Sequence, residues 1–449
     1  MSAASFAMGQ QDFFKALADQ VCASTAGADR VMLYLAAESS HFIRFNHAAV
    51  RQATQVRQGY ATLSVVRGSR RVDGNLSLSG LLGADAAALL SERATLLAQL
   101  SEVGDDPYLL LPAEVHSSER HEQGALPEPP TLVAAVVQAA AGLDFVGFYA
   151  GGTVVRAFAD SRGQRNWHQV QSFHFDWCLY HAADKAIKSA YAGTHWRSEE
   201  FARRVAEGAA RLPLLALPPR QLSPGAYRAY FTPTAMGELL GTLAWSGFGA
   251  KARRTGTSSL GRLAQCDARL NPAVTLLEDT AAGTAPGFTG DGFIKPAQVS
   301  LVDAGLASNT LNSPRSAREF GLAANGAHAQ ESPESLSLKP GALAESDVLT
   351  TLGTGLYVSN LWYLNYSDRP ACRMTGMTRF ACFWVEGGQL VAPVNVMRFD
   401  DSFLRMFGEG LVALTRHTEL IPDSSTYRER QLNSITTPGA LVSDWCLTL

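Results

Sequence analysis

The sequence predicts an α+β protein in two parts. The N-terminal part should carry helices on a mostly antiparallel sheet, and the C-terminal part should be β-rich, a barrel-like or rolled sheet with one prominent helix. Three observations predict this. Apolar residues recur at helical spacing in only a few segments. Strand-like alternation and paired glycines dominate between them. A stretch with four prolines, 212–224, then separates two kinds of pattern. We place the units at 1–215 and 216–449. Of the 449 residues 46% are hydrophobic and 18% charged, enough apolar material for sizeable cores and too much for global disorder.

The first helix is predicted over 11–21, where Phe13, Leu17 and Val21 recur every four residues and Phe14 with Ala18 widens the stripe. Strand-like segments follow at 30–35, 42–46 and 60–66, with Gly68, Gly74 and Gly80 punctuating what comes next. A second helix is predicted over 86–103, with Asp85 as its N-cap and Leu89, Leu90, Leu96, Leu97 and Leu100 on a broad face. Residues 116–130 read as a polar loop ahead of a helix at 132–141. The apolar runs 145–150 and 153–159 flank Gly151-Gly152, which reads as a hairpin because both central positions of a type I′ turn need positive φ. The segment 172–180 alternates. Phe173, Phe175, Trp177 and Leu179 face one way, and His174, Asp176 and Cys178 the other. A helix at 199–210 follows, with Ser198 as N-cap and two acids in its first turn.

Past the break, a short strand at 227–231 leads into a helix at 234–245, stopped by Ser246-Gly247. Strands and long polar loops fill the remainder, notably 308–341. The clearest hairpin joins 379–386 to 389–396 through Gly387-Gly388. No internal repeat at a solenoid period is visible.

A net charge of −3 and a pI of about 6.4 exclude nucleic-acid binding by bulk positive charge. The longest nearly apolar stretch, 131–143, is interrupted by Gln138 and is too short to span a bilayer. The first residues lack the basic and apolar regions of a signal peptide. A soluble, cytoplasmic protein is expected, with no membrane or nucleic-acid partner. Cys22, Cys178, Cys266, Cys372, Cys382 and Cys446 are scattered without a Cys-x-x-Cys pair. That disfavours a disulfide scaffold and a thiolate zinc knuckle, and fits a reducing compartment.

No P-loop is present, and Gly353-Thr354-Gly355 lacks the third glycine of a dinucleotide fingerprint. No Gly-x-Ser-x-Gly elbow supports serine hydrolase chemistry. His174, Asp176, Cys178 and His181 form the only metal-like cluster. Ligands about 7 Å apart along a strand are wide for one tetrahedral ion, so the polar face of an amphipathic strand is the plainer reading. His116 and His121 sit in a charged loop and read as solvated. The run 251–254 (KARR) could touch a phosphate or an acidic partner, or simply set cations against a helix dipole. Segments 353–358 and 379–396 could form a sheet edge able to receive an extended peptide as an added strand, but taken alone they read more plainly as ordinary core strands.

From about Asp29 to the C-terminus the chain resembles the TldD/PmbA family of zinc peptidases. FIRFNHAAVRQATQVRQGYATLSVVRGSR is similar to that family's opening sheet. MGELLGTLAWSGFGAKARRTGTSSLGRL, NSPRSAREFGL and GTGLYVSN…TGMTRFACFWVEGGQLVAPV follow in the family's order. The family has two branches. In the TldD branch, H-E-x-x-x-H on the first helix of the C-terminal domain and a later cysteine hold zinc, and the glutamate polarises a water. Aligned on Ser246-Gly247, those positions are Glu238, Leu239 and Leu243 here. No histidine lies between His195 and His328, and Cys446 lacks the glycine-rich context of the ligand cysteine.

The chain therefore resembles the TldE (PmbA) branch, the metal-free partner. The resemblance implies a heteromeric metallopeptidase complex, a heterodimer or larger, for proteolysis. A TldD-like subunit would hold zinc and cleave, while this pseudoenzyme subunit completes the chamber and binds unfolded peptide, with no cofactor and no catalytic residue of its own. The block at 375–380 keeps Arg379 but lacks the family's Asp and Ser-Arg-Gly. Thr375, Gly376 and Arg379 are thereby candidate peptide-binding or partner-facing residues. Two further readings stay open: a stand-alone peptide-binding scaffold, and a metallopeptidase with a non-family metal site at His174, Asp176 and Cys178.

Overall fold

The apolar stripe of the first helix, α1 (Gln11–Val21), buries Phe13, Phe14, Leu17, Ala18 and Val21 against strands much longer than the sequence suggests. The computed structural model describes residues 7–182 and 185–448. β1 (Arg30–Asn46) takes in both of the first two expected strands and pairs along its whole length with β2 (Ala49–Arg67). β3 (Arg70–Ser77) extends that edge, and α2 (Leu82–Gln99) packs on it. Asp85 lies inside the first turn of α2 rather than capping it. Its carboxylate accepts the backbone N–H groups of Ser79 and Gly80 at 2.8 and 2.9 Å and so closes the preceding loop.

β4 (Ser118–Glu122) stands inside the expected polar loop, ahead of α3 (Pro129–Ala139), β5 (Asp144–Asp160), β6 (Arg165–Ala182), β7 (Lys185–Gly193) and α4 (Ser198–Leu215). The sheet order is β3-β2-β1-β5-β6-β4, with β7 also paired to β6. β4 runs parallel to the first half of β6, and β7 antiparallel to the second.

The hairpin expected at Gly151-Gly152 does not form. β5 runs straight through, paired to β1 on one side and β6 on the other. The glycines answer to crowding instead: a Cβ at 152 would lie 2.1 Å from the Ser39 carbonyl oxygen, and one at 151 would lie 2.1 Å from Tyr149 Oη. Ser198 opens α4 as its first residue, not its cap, and its Oγ accepts from Trp196 Nε1 at 3.1 Å. α4 carries Pro213 within its last turn, so 212–215 are helical rather than part of the break.

The C-terminal unit begins with β8 (Gly225–Phe231) and α5 (Pro233–Ala244). Thr232 caps α5 by accepting the Ala235 N–H at 3.3 Å, and Pro233 fills the first helical position, where its missing donor costs nothing. Two short helices follow, α6 (Ala250–Arg254) and α7 (Gly261–Ala264). Then come β9 (Leu276–Glu278), β10 (Val299–Asp303), β11 (Leu306–Ala307), α8 (Pro314–Phe320), β12 (Ser335–Leu338), α9 (Val348–Leu352) and β13 (Gly355–Val358). The chain ends with β14 (Asn360–Asp368), β15 (Arg373–Arg379), β16 (Phe383–Glu386), β17 (Gln389–Pro393), β18 (Arg398–Ser402), α10 (Phe403–Met406), β19 (Leu411–Pro422) and β20 (Ser434–Leu447).

These strands make one 13-stranded sheet, open and branched rather than closed as a barrel. Its main path is β11-β10-β9-β12-β20-β8-β13-β16-β17, with β18 and β19 also on β20 and β14 reached through β15. The expected loop at 308–341 contains α8, capped by Ser313, and β12. The Gly387-Gly388 hairpin is present, with φ of +57° and +78°, but Arg379 ends β15 instead of entering it. β13 is sandwiched between β8 and β16, an ordinary core strand and not an exposed edge, as the plainer reading of 353–358 has it.

Three main cores result. One lies under α1 and α2, a second under α3 and α4, and the third around α5. The segment between β19 and β20 reaches back to the N-terminal sheet through Arg430, only 2% exposed. Arg430 donates to Ser172 O and Oγ at 2.8 and 2.9 Å and to Gly152 O at 3.3 Å. Burial pushes its pKa down to about 10. Among the described residues no helix is long and apolar enough to cross a membrane.

Candidate functional site

The register of β6 is pinned by aromatic packing. Phe175 stacks on Phe201 of α4 with ring centroids 5.2 Å apart and planes 7° from parallel, and Trp177 meets the same ring edge-on at 5.1 Å. Pinning one face fixes the other, because strand side chains alternate. His174 and Asp176 consequently point into a cavity of about 600 Å³ between the two sheets. α5 forms the opposite wall with Thr234, Gly237 and Glu238. Residues 188–192 of β7 and 418–423 at the end of β19 form the sides.

Burial sets the electrostatics. The carboxylate of Glu238 accepts the Leu361 N–H. Desolvation pushes its pKa up to about 7, with that hydrogen bond and the charge of Lys188 opposing. His174 is 5% exposed and its Nε2 has no hydrogen-bond partner. Burial drives its pKa down to about 4, and the positive charge of Arg430 adds to the fall. Burial also raises Asp176 and Cys178, again against Lys188. One cation bridges the two units at the rim. Arg204 of α4 donates to Ala190 O at 3.0 Å and Glu419 Oε2 at 3.2 Å, while its Nε reaches Glu200 at 2.7 Å.

The structure brings together residues the sequence offered separately. Glu238 shares a cavity with His174 and Asp176. Leu239 and Leu243 instead lie in the C-terminal core, and Cys178 does not reach the cavity lining. His181 is exposed. His116 and His121 pair with Glu114 and Glu119 at 3.1 and 2.7 Å. Thr375 is buried, donating to Phe399 O at 2.8 Å and accepting from Arg398 Nε at 3.1 Å. Gly376 has no room for a side chain, since a Cβ would meet the Phe399 ring at 2.7 Å. Both secure β15 against β18. Arg379 reaches the surface, 4.8 Å from the centre of the Trp362 ring. Cys446 sits beside Asp401 and Arg405, and none of the three lines the cavity. Lys188, Arg204 and Asn360 went unnoticed in the sequence. They come from three separate elements, and no local pattern marks them.

Residues 224–448 match the PmbA/TldA metallopeptidase C-terminal domain. The chain belongs to the TldD/PmbA family. TldE from Thermococcus kodakarensis superposes on it with a TM-score of 0.80 at 11% identity, covering 97% of this chain and 100% of that one. Two candidate modulators of DNA gyrase share the fold. The one from Thermotoga maritima has a TM-score of 0.77 at 15% identity and covers 98% of this chain and 100% of its own. The one from Bacteroides thetaiotaomicron has a TM-score of 0.72 at 16% identity and covers 98% of each chain. At these identities the likeness is one of fold. No curated protein matches the chain by sequence.

The zinc of the TldD branch does not fit the residues found here. Of the three positions aligned with its helical motif, two are leucines packed in the core, and the third offers one carboxylate already accepting a backbone N–H. Among the described residues no group of three His, Cys, Asp or Glu side chains is placed to hold a metal ion.

Proposed function

We propose that this chain is a TldE-like, non-catalytic subunit of a zinc metallopeptidase. Its cavity takes an extended, unfolded peptide, and a TldD-like partner supplies the zinc and cleaves. The observation that carries this reading is the state of α5. The helix keeps the family's frame and faces the cavity, yet Leu239 and Leu243 are turned into the core. A leucine neither ligates a metal nor moves a proton.

Peptide binding is supported by the strands that flank the cavity. Among the described strands β7 is paired to β6 alone, and the later part of β19, past the 414–416 stretch that bonds to 341–343, is paired to β20 alone, so each offers an edge where main-chain hydrogen bonding can hold an added strand whatever its sequence. Arg204 occupies one of those acceptors, Ala190 O, and would have to move aside for a strand to pair along its full length. Arg379, beside the exposed Trp362 and Tyr363, is the retained candidate for meeting the partner. The scattered free cysteines support a reducing compartment such as the cytoplasm.

Reconstitution tests the proposal. The chain, a TldD-like partner and their mixture would each be incubated with an unfolded protein such as casein, and zinc per mole measured for each. Cleavage well above either component is expected only in the mixture, with no stoichiometric zinc in this chain. Full activity by this chain alone, with close to one zinc bound and loss of both in His174→Ala, would overturn it in favour of a metal site on the β6 face.

A further inference from the structure

A second cavity, of about 570 Å³, shares no residue with the first. It is lined by Arg253 and Arg254 of α6 and Arg262 of α7, and by no carboxylate. Backbone hydrogen bonds fold the intervening turn so that these residues converge. Thr257 and Ser258 both donate their N–H groups to Ala252 O, at 2.8 and 3.0 Å, and Ser258 Oγ donates to Gly247 O at 2.8 Å. Gly256 makes the turn with a φ of +71°. Among the described residues none of the three guanidiniums has an ion-pair partner. Arg253 Nε is buried with no acceptor at all.

We infer that this cavity is a site for a small tetrahedral oxyanion carrying two charges, either free phosphate or the phosphoryl group of a small ester. A buried donor without an acceptor is uncommon in a folded protein, because desolvating it is costly. Here the cost falls on a charged group, and burial alone, with no carboxylate to oppose it, lowers the pKa of Arg253. Three forked donors suit a phosphoryl group, which accepts guanidinium hydrogen bonds in pairs. Dipole compensation explains less. α6 has only five residues, and Arg262 lies on the next helix. The cavity exceeds the volume of phosphate, and Leu322 and Pro370 add an apolar wall against which the carbon skeleton of an ester could lie.

Titration calorimetry of the whole chain in low-chloride buffer, with inorganic phosphate in one arm and glycerol 3-phosphate in the other, tests this. Saturable binding at one site is expected. Equal affinity in the two arms assigns free phosphate, and tighter binding of the ester assigns the ester. Arg253→Gln and Arg262→Gln should each weaken binding at least tenfold. Arg262 is exposed, so its variant decides the matter if Arg253→Gln fails to fold. The inference is overturned by absence of saturable binding in both arms. Undiminished binding in Arg262→Gln, or capture of an acidic peptide while neither phosphate binds, would overturn it as well.

Discussion

On the N-terminal wall of the cavity between the two sheets, His174 and Asp176 stand on a strand whose opposite face is pinned by Phe175 and Trp177. On the C-terminal wall, Glu238 stands on a helix whose opposite face is pinned by Leu239 and Leu243. The two walls are built differently but tuned by the same force. Burial lowers the pKa of His174 to about 4 and raises that of Glu238 to about 7, so on each wall it shifts the balance toward the uncharged form. The difference lies in how each group is held. Glu238 has a backbone donor, whereas His174 Nε2 has no partner. A helix whose core face is filled by leucines can still present one polar group, provided the rest of its face packs.

That comparison can be broken at either support. Phe175→Ala should cost the most, about 3–5 kcal/mol, because it removes a fully buried ring from the stack that orients His174 and Asp176. Leu243→Ala should cost about 2–5 kcal/mol by opening a cavity behind α5. Denaturant midpoints measure both. A loss below about 1 kcal/mol in either would mean that the wall does not depend on its support.

The titrations sharpen the comparison, because the two walls respond to pH with opposite signs. Glu238 goes from an ordinary 4.5 to about 7 on folding. Between those values the folded chain holds the extra proton, so this contribution to stability is full below 4.5 and is lost as pH rises to 7. His174 goes from 6.5 to about 4. There the unfolded chain holds the extra proton, so its contribution is present above 6.5 and is lost as pH falls to 4. Glu238→Gln should therefore remove a decline toward neutral pH, and His174→Gln a decline toward acid. Unfolding curves from pH 4 to 8 check both, and an unchanged profile in Glu238→Gln would sink the assignment of its pKa. The smallest effect is expected from Arg204→Ala. Its ion pairs are partly exposed, so the loss should be about 0–1 kcal/mol, while peptide affinity rises if the freed edge of β7 is the one used.

Elements whose pattern is self-contained could be read from the sequence, and those set by distant crowding could not. The stripe of α1 and the alternation of β6 belong to the first kind, as does the Gly387-Gly388 turn. Gly151-Gly152 looks the same locally, with two apolar flanks, yet it lies flat because Ser39 crowds it from the neighbouring strand. Strand lengths were underestimated because β1 and β2 continue through polar residues wherever a partner strand supplies the hydrogen bonds. The site was legible in halves. Alternation marked His174 and Asp176, and resemblance marked Glu238. Nothing local says that one cavity collects them, and Lys188 and Arg204 enter it only through pairing and helix docking.

Arg430 adds a consequence for how the molecule comes apart. Its guanidinium lies on the return from β19 to β20, but its acceptors, Ser172 and Gly152, belong to the other sheet. Opening the N-terminal sheet would strand a buried cation, and releasing the strap would leave buried carbonyls of that sheet without donors. Neither sheet can melt without imposing a cost on the other, so heating should give one cooperative transition where two sheets would otherwise suggest two. A chain cut near residue 216 should yield halves that are each less stable than their share of the whole.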